Sequence, residues 1–164
     1  MDKLALLTNE MIEYEKGVPA RVGHFLKVHG FAKAIGELEN LSPETLYVLE
    51  ATALVHDIGI KPSLEKYGSA AGPLQEKEGG PVARDMLGKL GFSQELIDRA
   101  ACLVERHHTY SNVDGLDCQI LLEADFLVNM LEDEMSPKAI ESAYEKVFKT
   151  EAGRRLCRLL YMSE

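Results

Sequence analysis

His24, His56, Asp57, His107, His108 and Asp125 each fall on or at the end of a predicted helix, and four of the chain's five histidines are among them. His56 and Asp57 stand near the end of the apolar run Ala53-Leu54-Val55-His56-Asp57-Ile58-Gly59, and Asp125 occupies a stripe where an aliphatic residue would otherwise be. A carboxylate on a buried face is costly unless it is paired or bound to a metal. A cation shared with the histidines would offset that cost. Mixed imidazole and carboxylate ligation suits iron, manganese, zinc, cobalt or nickel better than calcium or magnesium, because imidazole is the softer ligand. Adjacent side chains on a helix point about 100° apart, so His56 and Asp57 reach one ion together only if it lies off the helix end.

The elements that must position these residues read as helix after helix. Leu4, Leu7, Met11 and Tyr14 recur at three- and four-residue spacing up to Gly17, predicting an amphipathic helix near residues 2–16. A second helix carries His24, Val28, Phe31 and Ile35 on one stripe and ends at Gly36, so His24 faces the core. Ser42 caps a third helix with Pro43 at its first position. Leu46, Leu49, Ala53, His56 and Asp57 line its buried side, and Gly59 is expected to close it as a left-handed cap. Pro62 to Gly80, with four glycines among polar residues, reads as a loop with at most a turn of helix, long enough to be functional. Helices follow from Pro81 to Leu90 and from the Ser93 cap to His107. After the turn-rich 111–115 segment, Asp117 caps a helix with the stripe Leu121, Asp125, Val128 and Glu132. Two more run from Ser136-Pro137 through Val147 and from about Gly153 to Tyr161. No alternating strand pattern of useful length occurs, so the expected fold is all-α, a compact helical bundle.

Length and composition narrow the function classes. A chain of 164 residues with 46% hydrophobic content can bury one good core and favours a single domain over 1–164. A net charge of −9 argues against a broad nucleic-acid surface, which needs clustered Lys and Arg. Cys102, Cys118 and Cys157 form no CxxC pair and fit a reducing compartment. No apolar stretch approaches a membrane span. The expectation is a cytoplasmic protein with no membrane association, and the stripe of the first helix leaves a homodimer open.

Arg21-x-x-His24-x-x-x-Val28-x-x-x-Ala32, the 53–59 run, His107-His108 and Glu123-Ala124-Asp125-Phe126-Leu127 together resemble the ordered signature of the HD superfamily of metal-dependent phosphohydrolases. The resemblance spans roughly residues 20–130, leaving helices over 137–162 to pack on that core. It implies a helical bundle of the HD-domain type in which His24, His56, Asp57 and Asp125 hold one metal. His107 and His108 resemble the paired ligands of a second, with Asp57 bridging. Two-metal members usually carry another histidine between the HD and HH pairs, and this chain has none. Gln75, Glu76 and Glu78 occupy that neighbourhood, and Glu78 is the candidate oxygen ligand.

The implied function is hydrolysis of a phosphoester in a nucleotide or other small phosphorylated metabolite by metal-activated water, with one or two divalent transition-metal ions as cofactor. A metal lowers the pKa of coordinated water and polarises a phosphoryl oxygen, while a second ion would clamp both the attacking and leaving oxygens. Asp57 could position the water, and Lys61, four residues further on, could meet the phosphate. Arg84 and Arg106 could also neutralise it. Each residue has a plainer reading: His107-His108 as a polar helix cap, Glu76 and Glu78 as a solvated face, Lys61 as a solvated lysine. His29 falls off the ligand stripe. A di-iron oxygenase of the HD type and a noncatalytic metal-binding signalling domain are the alternative functions.

Overall fold

The computed structural model describes residues 2–162. Among these the elements are α1 (Lys3–Tyr14), α2 (Pro19–Leu38), α3 (Pro43–Ala53), α4 (Ile60–Tyr67), α5 (Gly72–Lys89), α6 (Gln94–Val104), α7 (Leu116–Glu132), α8 (Pro137–Lys146) and α9 (Glu151–Tyr161). There is no strand among the described residues, as the sequence predicts. Side-chain caps start several helices: Ser42 accepts from Thr45 N, Ser93 from Leu96 N, Ser136 from Ala139 N and Thr150 from Gly153 N. Each satisfies a backbone donor that the first turn leaves free. No helix among the described residues is long and apolar enough to cross a membrane.

α3 is central because it is buried on both sides. Leu49 and Ala53 join a cluster built from α2, α7, α8 and α9, around Val28, Ile35, Leu121, Leu127 and Phe148. Ala51, Leu54, Val55 and Ile58 join another, with Leu7, Met11, Phe25, Leu87 and Val104. This double burial explains why residues 49–59 are all buried instead of buried along one stripe. α2 packs on α3 and α7, and α5 on α6, so the C-terminal end of α3 is enclosed by α2, α5, α6 and α7. A fully buried carboxylate, Glu123 on α7, accepts from Lys149 N, Thr150 N and Thr150 Oγ1, which ties the start of α9 to this frame.

Several expected boundaries move, each for a physical reason. The 62–80 segment is helical, not a loop, with α4 and the first half of α5 inside it. Glycines and Pro81 read as helix breakers, but tertiary packing outweighs their propensity. A Cβ on Gly79 would come within 2.8 Å of Val104 Cγ1, so the small residue lets α5 lie against the end of α6. Gly36 lies inside α2, which continues to Leu38. Asp117 is not the cap of α7; Gly115 precedes that helix, and Asp117 pairs with Arg99. The third predicted helix ends early, at Ala53, and the one predicted from Ser93 to His107 ends at Val104. Gly59 is not a left-handed cap, since its φ of −75° and ψ of −11° suit any residue. What demands glycine there is space: a Cβ would lie 2.3 Å from Gln75 O and 2.7 Å from Gly79 N.

Candidate metal centre

The HD and HH pairs sit in two turns with the same construction. After α3 the chain tightens through three-residue hydrogen bonds, Val55 N to Thr52 O and Ile58 N to Val55 O. After α6, Arg106 N donates to Leu103 O and Thr109 N to Arg106 O. In each turn the histidine ring donates from Nδ1 to the carbonyl three residues back, the last residue of the helix: His56 to Ala53 O and His107 to Val104 O, both at 2.8 Å. The imidazole thus takes a carbonyl that the helix end leaves free. A carbonyl only accepts, so Nδ1 carries a proton, and each Nε2, free for a second proton or a metal, points away from the helix.

The inward nitrogens converge with carboxylate oxygens. His24 Nε2 lies 3.1 Å from His56 Nε2, 3.1 Å from Asp57 Oδ2 and 3.1 Å from Asp125 Oδ1. His56 Nε2 is 3.5 Å from Asp57 Oδ2 and 3.4 Å from Asp125 Oδ1. All four residues are buried, and the Phe25 ring, fully enclosed, stands edge-on to His56. Asp125 Oδ1 is a buried acceptor that receives no well-directed hydrogen bond, despite the two nitrogens facing it. Donors each about 2.1 Å from one ion would stand roughly 3.0 to 3.4 Å apart. The donor set fits a transition-metal ion both in spacing and in chemistry.

Asp57 also faces the other turn. Its Oδ1 is 2.9 Å from His107 Nε2, and the His108 ring lies beside that of His107, tilted by 45° with centroids 3.9 Å apart. Asp57, His107 and His108 form a second group of potential ligands that shares Asp57 with the first. The residue that closes this group is Gln75. Its Nε2 donates to Ala70 O, which turns Oε1 toward His108 Nε2 at 2.9 Å.

The structure does not bring Glu78 to the cluster. Its Oε2 accepts from Lys66 Nζ at 2.6 Å and its Oε1 from Tyr67 OH at 2.9 Å. Gln75 and Gly79 face the 53–59 turn, and Glu78, one residue before Gly79, projects about 100° away toward the end of α4. Glu76 instead holds the HH turn, accepting from His108 N and Thr109 Oγ1. Lys61 is likewise turned away: its Nζ donates to Tyr14 O at 2.8 Å and stands over the Tyr14 ring. Arg84 pairs with Asp98, and His29 pairs with Glu50. The cation beside the site is Arg21, whose Nε is 3.0 Å from the buried Glu15. It lines a cleft of about 390 Å³ together with His24, Asp57, Gln75, His108, Asp125, Asn129 and Glu132. Arg21 stands in the His24 motif, one helical turn before the ligand, a spacing that places both on one face.

The electrostatics of the cluster are those of a site held together by protons. Burial opposes a charged His24, yet Asp125 and Asp57 outweigh it and push its pKa up to about 11. Burial works against the Asp57 charge, but His56, His107 and His24 hold its carboxyl well below the usual range. Asp125 is lowered in the same way by His24 and His56. His108, by contrast, is lowered by burial and by its neighbour His107. A metal must displace the His24 proton, because only neutral imidazole ligates. Loading the metal-free protein near pH 7 should therefore release at least one proton per ion at the first group. Titration calorimetry in buffers of different ionisation enthalpy measures this, and a heat independent of buffer would contradict a protonated His24.

An all-α frame that gathers imidazoles and carboxylates from helices far apart in sequence defines a class of helical domains built around a buried His/Asp cluster that could hold a metal. The profile of the HD domain family matches residues 21–149, and the chain belongs to that family. The chain also resembles, at 24% identity and a TM-score of 0.69, the crystal structure of a predicted HD superfamily hydrolase from an uncultured Thermotogales bacterium. The match covers 96% of this chain and 84% of that one, and at this identity it shows a shared fold. No curated protein matches the chain. Members of the superfamily are usually hydrolases.

Proposed function

We propose that the protein is a metal-dependent phosphohydrolase acting on a small phosphorylated metabolite, with His24, His56, Asp57 and Asp125 holding one ion and Asp57, His107 and His108 offering a place for another. The observation that carries this reading is the facing of imidazole nitrogens and buried carboxylate oxygens at 3.1 to 3.5 Å, an arrangement that a cation satisfies. A metal bound there would supply Lewis acidity, lowering the pKa of water and polarising a phosphoryl oxygen. The protein's own part is to orient and to balance charge. Two carboxylates at the first group limit the net positive charge, and Arg21, whose Nε faces Glu15 at 3.0 Å, offers the cleft a guanidinium whose planar donors match a phosphate. The cleft volume of about 390 Å³ suits a small phosphoester.

The deciding measurement is metal content per chain for the wild type and for His107→Ala combined with His108→Ala, alongside hydrolysis of phosphomonoesters, nucleotides and cyclic dinucleotides. Two ions falling to one, with loss of turnover, supports a two-metal hydrolase. One ion that survives the double change supports a mononuclear site and makes phosphomonoesters the first substrates to assay. Iron with substrate-dependent oxygen uptake and no hydrolysis would replace this reading with an oxygenase.

A further inference from the structure

We propose that Glu132 is a positioning residue for the candidate ligand His24. The inference rests on the reading of the cluster as a metal site. It starts from a difference among the three imidazoles that aim Nε2 inward. His56 and His107 lie just past helix ends and find a free backbone carbonyl three residues behind, at 2.8 Å each. Their orientation is therefore set by the main chain. His24 lies inside α2, which runs from Pro19 to Leu38, where backbone carbonyls are taken by the helix itself.

Its Nδ1 must find an acceptor on another element. That acceptor is Glu132 Oε2 at 2.9 Å, on the last residue of α7 and 108 positions away in sequence. Glu132 Oε1 is held in turn by Lys27 Nζ at 2.7 Å, one turn further along α2. Asp125 and Glu132, seven residues apart on one face of α7, so meet the two nitrogens of one ring: Asp125 Oδ1 faces Nε2 and Glu132 Oε2 accepts from Nδ1. A carboxylate behind a metal-binding imidazole fixes the tautomer, orients the ring and raises its basicity. Of the three rings, His24 is the one whose aim depends on a replaceable side chain.

The test uses the full chain, stripped with chelator and titrated with Co(II), whose visible absorption reports ligand geometry, and with Zn(II) against a competing chelator. Glu132→Ala should weaken binding by about 10 to 100-fold and change the Co(II) spectrum. Its metal-free melting temperature should stay within about 2 °C of wild type, since Glu132 is a partly exposed residue at a helix end. Glu132→Gln, which keeps an acceptor oxygen without the charge, should recover most of the spectrum and part of the affinity. In a His24→Ala background the Glu132→Ala change should cost nothing further, because the two act through one contact. Wild-type affinity and spectrum in Glu132→Ala, with the wild type binding metal, overturn the inference alone. A wild type that takes up neither metal overturns the metal reading and the inference with it.

Discussion

Asp57→Ala is expected to remove both candidate ions at once and to lower any phosphoester hydrolysis by about a thousandfold or more. Asp57 is the residue common to the two ligand groups. Its Oδ2 faces His24 at 3.1 Å and His56 at 3.5 Å, while its Oδ1 faces His107 at 2.9 Å. Removing it takes one oxygen and half the negative charge from the first group, and the only carboxylate from the second. Lewis-acid stabilisation of a phosphoryl transfer amounts to several kcal/mol, and each 1.36 kcal/mol is about tenfold in rate. The neighbouring variants sharpen the expectation. Asp125→Ala strips the first group only, and the paired change at His107 and His108 strips the second only. Asp57→Asn, similar in shape but uncharged, should fall between wild type and Asp57→Ala in metal content. Elemental analysis of gently purified protein measures all of these, and an Asp57→Ala protein with wild-type metal content would defeat the shared-ligand reading. If the wild type holds metal but turns over no phosphoester, and Asp57→Ala changes only the melting temperature, the domain is noncatalytic.

The residues that proved legible from sequence are those that sit inside regular helices. His24 on α2 and Asp125 on α7 interrupt apolar stripes at helical spacing, and periodicity alone puts both in the interior. The HD and HH pairs were legible as residues but not as structure. The run from Ala53 to Ile58 continues the helical pattern with no glycine or proline, so nothing local marks the end of α3. The helix stops where the His56 ring takes the Ala53 carbonyl, a contact between residues that hydropathy cannot weigh. The reverse error affects 72–81, where breakers mask a helix because the reason for small residues lies on α6 and on the 53–59 turn. Glu78 and Lys61 occupy positions that the resemblance singles out, yet each is drawn off by partners on α4 or α1. Gln75 stands with Glu76 and Glu78 in the neighbourhood of the absent histidine, and nothing in the sequence favours the amide over the two carboxylates. Glu132 was visible on the stripe of α7, and the signal of its part was its seven-residue spacing from Asp125.

Gly59→Ala is expected to be among the most destabilising single changes in the chain, lowering stability by about 3 kcal/mol and the melting temperature by roughly 6 to 12 °C. Propensity points the other way. Gly59 has an αR backbone, φ −75° and ψ −11°, and Gly→Ala at such a position ordinarily stabilises by about 0.4 to 1 kcal/mol through the unfolded state. Packing decides the sign. The added Cβ would stand 2.3 Å from Gln75 O, 2.7 Å from Gly79 N and 2.9 Å from Gly79 Cα. These are backbone atoms of α5, and no rotamer change can clear them, so α5 must shift as a unit. That shift would draw Gln75 away from His108 and loosen the turn that holds His56 and Asp57, so metal affinity should fall along with stability. Gly88→Ala is the control: it lies in α5 itself, with nothing within 4 Å of its added Cβ, and should melt at or above wild type. Thermal unfolding of the two variants in chelator, then with metal, separates the effects. Equal melting of Gly59→Ala and wild type would mean that α5 does not press on the 53–59 turn, and that the close approach of the two backbones does not hold the HD pair in place.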